Sequence, residues 1–206
     1  MKKAGTDVGN STSFAYETLP TNYNLYKRID LTAEKRIMTL LCIWTIIAIV
    51  AMIVPMLFLH PLKNAVDMPI GQIIFCVAAM IVGLIVYIFL HEGVHGIFIK
   101  LFTGTNASFG MDLKNGMAYA GSTWYFKKWP YVIIALAPLV IWGIALAILL
   151  KDIQESYFWY LYAIQIFNVI GAAGDLYITC EIAKMPKNVL AFDSGTAMDF
   201  YCEVSK

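Results

Sequence analysis

The sequence predicts an all-α membrane protein, with four transmembrane helices and a small cytoplasmic β-hairpin between helices 2 and 3. Three observations carry that expectation. Hydrophobic residues fill 60% of the 206 positions and charged residues only 14%, whereas ordinary soluble domains are roughly 45–50% apolar. The excess is gathered into four runs, Met38–Leu59, Ile70–Phe102, Tyr131–Leu150 and Tyr157–Ile178, each reaching the roughly 20 residues that cross a hydrocarbon core of about 30 Å. Basic residues then divide unevenly between the ends of those runs, which is the pattern that orients membrane helices.

The elements follow in order. Residues 1–37 form a polar arm rich in Thr, Asn and Tyr, expected to be largely irregular as far as Asp30. "DLTAEKR" offers Asp30 or Thr32 as an N-cap for a helix running into the first span. His60, Pro61 and Pro69 bracket a short connection to the second span. The loop at 103–130 contains "SFGMDLKNGMAYAGSTW", two β-like runs about a "KNG" turn signal, and so predicts a hairpin over 107–123. The third span holds "ALAPLV", with Pro138 about two turns inside it, and a tight turn at Asp152 and Glu155 leads into the fourth. Residues 38–185 make up the membrane domain, and a polar, irregular tail occupies 186–206.

Lys27, Arg28, Lys35 and Arg36 flank the first span, Lys100, Lys114, Lys127 and Lys128 lie in the long loop, and Lys184 and Lys187 follow the fourth span. The remaining two connections carry only Lys63 and Lys151. Both termini and the long loop are therefore expected in the cytoplasm of a multi-pass cell-membrane protein, with the bilayer as its surroundings. On that topology the "NST" at Asn10 is a chance glycosylation match. A formal charge of +1 argues against a nucleic-acid partner. Cys42, Cys76, Cys180 and Cys202 have no metal-binding spacing, and the two inside spans, Cys42 and Cys76, are expected as buried, inert thiols.

The chemistry is concentrated in "YIFLHEGVHGIFIK". Ionisable side chains at membrane depth are costly, on the order of 2.5–3.5 kcal/mol each on insertion scales, and so point to a function. His91 and His95 are four residues apart on a helix, hence on one face about 6 Å apart along its axis, where both imidazoles can reach one Zn²⁺. Glu92, one position round, can take a proton from a metal-bound water as general base. His60 lies on the other side of the membrane and is expected to have no part in the site.

A catalytic zinc usually has a third protein ligand. Asp175, in "NVIGAAGDLYI", is the further acidic residue within a span. Measured down their helices, His91 lies about 31 Å beyond Ile70 and Asp175 about 27 Å beyond Tyr157, roughly level at the cytoplasmic edge. Glu181, six residues beyond Asp175 and so deeper towards the cytoplasm, is an open alternative. Asn168 shares the Asp175 face two turns away, with Gln165 near it, and interhelical hydrogen bonding accounts equally well for both.

These residues resemble two known groups. A His-Glu-x-x-His helix followed by an Asp-bearing helix is similar to the site-2 protease type of intramembrane zinc metalloprotease. The four-span layout with "HEGVHGIFIKLFTG" and "GAAGDLYI" resembles more closely the zincin peptidase family of small bacterial membrane proteins, over most of residues 38–190. The resemblance implies a zinc peptidase with His91, His95 and Asp175 as ligands, Glu92 as base and Asn168 as a substrate-binding residue. It implies membrane-associated peptides or proteins as substrates. Site-2 proteases carry Asn-x-x-Pro-x-Pro-x-Leu-Asp-Gly, whereas here "VIGAAG" joins Asn168 to Asp175 without prolines and one residue shorter. The other reading of the same residues is a non-enzymatic membrane protein with a structural or regulatory metal site.

Overall fold

The computed structural model describes residues 10–113, 116–195 and 197–204. In chain order the elements are β1 (Ala15–Tyr16), β2 (Tyr23–Asp30), α1 (Lys35–Leu59), α2 (Lys63–Val66), α3 (Ile70–Thr103), β3 (Ser108–Asp112) and β4 (Met117–Gly121). They continue with β5 (Tyr125–Lys127), α4 (Lys128–Lys151), α5 (Glu155–Gly171), α6 (Ala173–Lys184), β6 (Leu190–Asp193) and β7 (Ala197–Glu203). Four helical stretches, Lys35–Leu59, Ile70–Thr103, Lys128–Lys151 and Glu155–Lys184, are long and apolar enough to cross a membrane. Their outward faces stay apolar and exposed, as at Ile46, Phe58, Phe75, Phe89 and Ile148, which suits a lipid solvent that demands no polar covering.

The all-α expectation is overturned by a five-stranded antiparallel sheet in the order β1-β5-β6-β7-β2, alongside the two-stranded β3–β4 hairpin. The arm and tail, expected to be irregular, supply four of its strands. β2 pairs with β7 from Tyr23↔Glu203 to Asp30↔Ala197, with a bulge between Leu25 and Lys27. β6 and β7 make their own hairpin, and Phe126 of β5 stands between Ala15 and Ala191. Every backbone group in such short strands must find a partner, and here the partners lie far away in sequence.

Burial holds the sheet in place. Ile29, Phe126, Ala191 and Phe200 present one face, and Ile99, Phe102, Tyr131, Ile134, Ile178 and Ile182 from the helix ends pack against it in one cluster. Phe126, Phe200, Ile29, Ile178 and Ile182 are among its fully buried side chains. Burying an aromatic or large aliphatic side chain is worth about 1.5–3 kcal/mol, so this junction forms an aqueous-type core beneath a bundle whose remaining surface is apolar. Lys128, buried at the start of α4, donates its ammonium to the carbonyls of Ala183 and Met185 and so closes the C-terminal end of α6.

Three local features differ from the expected pattern. Asp30 caps a turn, its Oδ1 accepting from the Thr32 and Ala33 N–H groups, and α1 begins only at Lys35. The fourth stretch is two helices, interrupted at Ala172 (φ −80°, ψ 9°), so Asp175 lies in the first turn of α6. Of the two in-span cysteines, Cys76 is buried as expected but Cys42 is exposed, because it lies on the side of α1 that borders a cavity. The hairpin stands where it was expected, although Lys114 and Asn115 of its turn signal lie outside the described residues.

Candidate metal centre

α3 carries both histidines on the face turned towards α4 and α6, buried at 7% and 8% exposure. Their rings meet edge-on with centroids 5.0 Å apart. The helix break at Ala172 brings Asp175 against them. Its Oδ2 lies 3.4 Å from His91 Nε2 and 3.6 Å from His95 Nε2. Ligand atoms around a tetrahedral zinc with bonds of 2.0–2.1 Å stand roughly 3.3 Å apart, and both distances from Asp175 to the histidines are close to that spacing. One ligand atom from each of His91, Glu92 and His95 also falls within 4.8 Å of the others. Two carboxylates thus share the histidine pair, Asp175 from a separate helix and Glu92 from the same one. The donor set of imidazole and carboxylate suits zinc.

Each imidazole is held from behind. His95 donates its Nδ1–H to the Ile134 carbonyl at 2.9 Å. His91 Nδ1 lies 2.9 Å from the Tyr87 hydroxyl, which itself donates to Asn168 Oδ1 at 2.6 Å.

A cavity of about 650 Å³ opens at this point. His91, Glu92, His95, Asp175, Tyr131 and Asp193 supply its polar wall, Met38 and Ile46 of α1 an apolar wall, and Gly116–Ala120 of the hairpin a third side. The hairpin can lie this close because Gly96 follows His95: a Cβ there would stand 2.5 Å from Phe109 Cζ. At the far side, Asp193 accepts from the Tyr131 hydroxyl at 2.7 Å and from the Gly195 N–H at 2.8 Å. Burial pushes the Asp193 carboxyl up to about 6, against the pull of those two donors and of His95.

The other expected residues go elsewhere. Glu181 turns away from the histidines and pairs with Lys27 and Lys184, each at 2.7 Å. Asn168 has no exposed surface; besides accepting from Tyr87 it donates to the Leu139 carbonyl at 3.2 Å, so its polar atoms are engaged within the protein. Gln165 reaches the Gly143 carbonyl. His60 sits at the opposite end of the bundle against Glu155. Sequence reasoning missed Tyr87, Tyr131 and Asp193. Tyr87 could have been found as the residue one turn before His91, whereas Asp193 reaches the cavity only through strand pairing.

Comparison with known proteins bears on the same stretch. No solved structure matches the chain. An uncharacterized 24.7 kDa protein of Pyrococcus woesei, described as lying "in gap 5'region", is 33% identical over 124 residues. That similarity covers 58% of this chain and 53% of the relative, so the chain spans about half the length of the protein it matches. A family model described as "Putative zincin peptidase" matches residues 84–190, more than half of the chain and the whole of the segment from His91 through Asp175. This chain belongs to that zincin peptidase family.

Proposed function

We propose that the protein is a zinc metallopeptidase that hydrolyses peptide bonds of membrane-associated proteins or peptides at the cytoplasmic edge of the bilayer. The observation that carries this reading is Asp175 Oδ2 standing 3.4 Å from His91 Nε2 and 3.6 Å from His95 Nε2, with Glu92 beside them on the same cavity. His91, His95 and Asp175 would hold the ion, leaving Glu92 unbound. Zinc held there supplies a Lewis acid that polarises the scissile carbonyl and makes a water acidic enough to attack near neutral pH.

The chain's own residues do the rest. Glu92 takes the proton released as water adds to the carbonyl carbon, then returns it to the departing amine as the C–N bond breaks. The substrate lies extended along the cavity side of β4, whose Met117–Ala120 backbone borders the site; strand addition of this kind supplies main-chain hydrogen bonds independent of side-chain identity. A substrate within the membrane has a direct route. α1 packs on α5 and α6 while α3 packs on α4 and α5, and the cavity lies between α1 and α3. The basic residues about the hairpin and both termini support a cytoplasmic site.

The test is hydrolysis of a fluorogenic peptide anchored in vesicles, by purified wild type and Glu92→Gln. The Gln variant should keep its zinc and lose at least about a hundredfold in rate. Equal rates in the two proteins would end this mechanism.

A further inference from the structure

The two histidines present the same ring nitrogen to Asp175, and the hydrogen bonds behind them give the reason. The starting point is Pro138, inside α4. A helical N–H at position 138 would bond the carbonyl four residues back, which is Ile134, but proline has no N–H to give. The Ile134 carbonyl is therefore left without its helical donor, on a face of α4 where Ile134, Ala135, Ala137 and Pro138 are buried. His95 Nδ1 fills that vacancy at 2.9 Å. A carbonyl can only accept, so Nδ1 carries the proton and the lone pair of His95 lies on Nε2.

The same accounting fixes His91. Asn168 Nδ2 donates to the Leu139 carbonyl at 3.2 Å, which turns Oδ1 towards Tyr87. The one hydroxyl proton of Tyr87 goes to that oxygen, at 2.6 Å. Tyr87 then has only lone pairs left for His91 Nδ1, 2.9 Å away, so His91 also carries its proton on Nδ1. Both lone pairs point at Asp175.

We infer that Pro138, through the Ile134 carbonyl, and the Asn168–Tyr87 pair are positioning elements that hold His95 and His91 as Nδ1–H tautomers with Nε2 free for the metal. This rests on the proposed zinc site and adds what sets its geometry. It gives Asn168 a place in the site without contact to substrate, and it gives the proline inside α4 a function. Such outer partners of metal-bound histidines typically govern affinity by about 10–100-fold.

The experiment measures zinc affinity of the purified full-length protein by competition with a chelator, for wild type, Tyr87→Phe and Pro138→Ala. Thermal unfolding of each metal-free protein is recorded in parallel. Both variants should bind zinc about 10–100-fold more weakly. Metal-free Pro138→Ala should unfold no earlier than wild type, since Ala restores an N–H that competes with His95 for the Ile134 carbonyl. If Pro138→Ala does not fold, Pro138→Ser restores the same N–H and takes its place. Wild-type zinc affinity in both variants would overturn the inference. So would weakened binding that merely follows a loss of metal-free stability. His91→Ala separates this from the underlying reading: zinc retained without His91 would bring down the site itself, whatever the other variants do.

Discussion

A histidine lies against a carboxylate at both ends of the helical bundle. At the end away from the sheet, His60 Nδ1 sits 3.0 Å from both carboxylate oxygens of Glu155, and its ring stacks on Phe158 with centroids 3.6 Å apart at 10°. Half of the Glu155 side chain is exposed. At the sheet end, His91 and His95 are buried, share one aspartate, and send their other nitrogens to fixed acceptors. The residue types match but the arrangements do not. His60 offers one nitrogen to a solvated partner, which is an ion pair or hydrogen bond between loop and helix. The buried pair offers two converging lone pairs with the protons accounted for, which is what a metal requires. The sheet stands under this end alone, and its packing against Ile99, Tyr131, Ile134, Ile178 and Ile182 fixes the helices that carry the ligands.

Breaking the ligand set should give the largest effect. Asp175→Asn should lose more zinc affinity than the ~10–100-fold expected for an outer partner, whereas Glu181→Gln, which only frees Lys27 and Lys184, should bind as wild type. Metal analysis of the two purified variants decides it, and zinc kept by the first but lost by the second would reverse the comparison. Removing the support beneath the site comes next. Phe200 is fully buried in the sheet core, and truncation to Ala should cost about 3–5 kcal/mol in chemical unfolding. A variant as stable as wild type would mean that the sheet does not brace this end.

Asp193 offers a third contrast, in pH dependence. Burial raises its carboxyl from the ordinary value of 3.8 to about 6, so between those values the folded protein holds a proton that the unfolded chain has released. Stability should therefore fall as pH rises from about 4 to 6 and level off above that. Tyr131, His95 and Asp175 face the same group, and metal-free protein is the fitting sample. Asp193→Asn should flatten this part of the profile, and an unchanged slope would assign it to another group.

The bundle was legible in the sequence because a membrane span is a local signal: twenty apolar residues identify themselves. The sheet was not. β1 and β5 have two and three residues, β2 reads as a polar string, and the pairings join Tyr23 to Glu203 and Ala15 to Phe126. No single strand among these announces its partner, and only the shared core with the helix ends makes them stable. The site divides in the same way. His91, Glu92 and His95 are fixed by spacing on one helix, and Asp175 could be matched to them by depth. Glu181 lies less than two turns after Asp175 on the same helix, yet that spacing turns it to another side, where Lys27 and Lys184 hold it. Tyr87 and Pro138 were visible only as a residue four before a histidine and a proline inside a span. What they do depends on which carbonyl and which amide face them.

The smallest expected effect belongs to His60. Its carboxylate partner is exposed, and such pairs contribute about 0–1 kcal/mol. Stacking on Phe158 adds a similar amount, roughly 0.5–1.5 kcal/mol. The Trp159 indole bonds the backbone carbonyl of residue 60, a contact that any side chain there leaves intact. His60→Ala should therefore unfold within about 2 kcal/mol of wild type and bind zinc with the same stoichiometry and affinity, because among the described residues its partners are Glu155, Phe158 and Trp159, at the far end from the buried pair. A measurable loss of zinc in His60→Ala would show that the two ends are coupled and that the helices transmit what the hydrogen bonds do not.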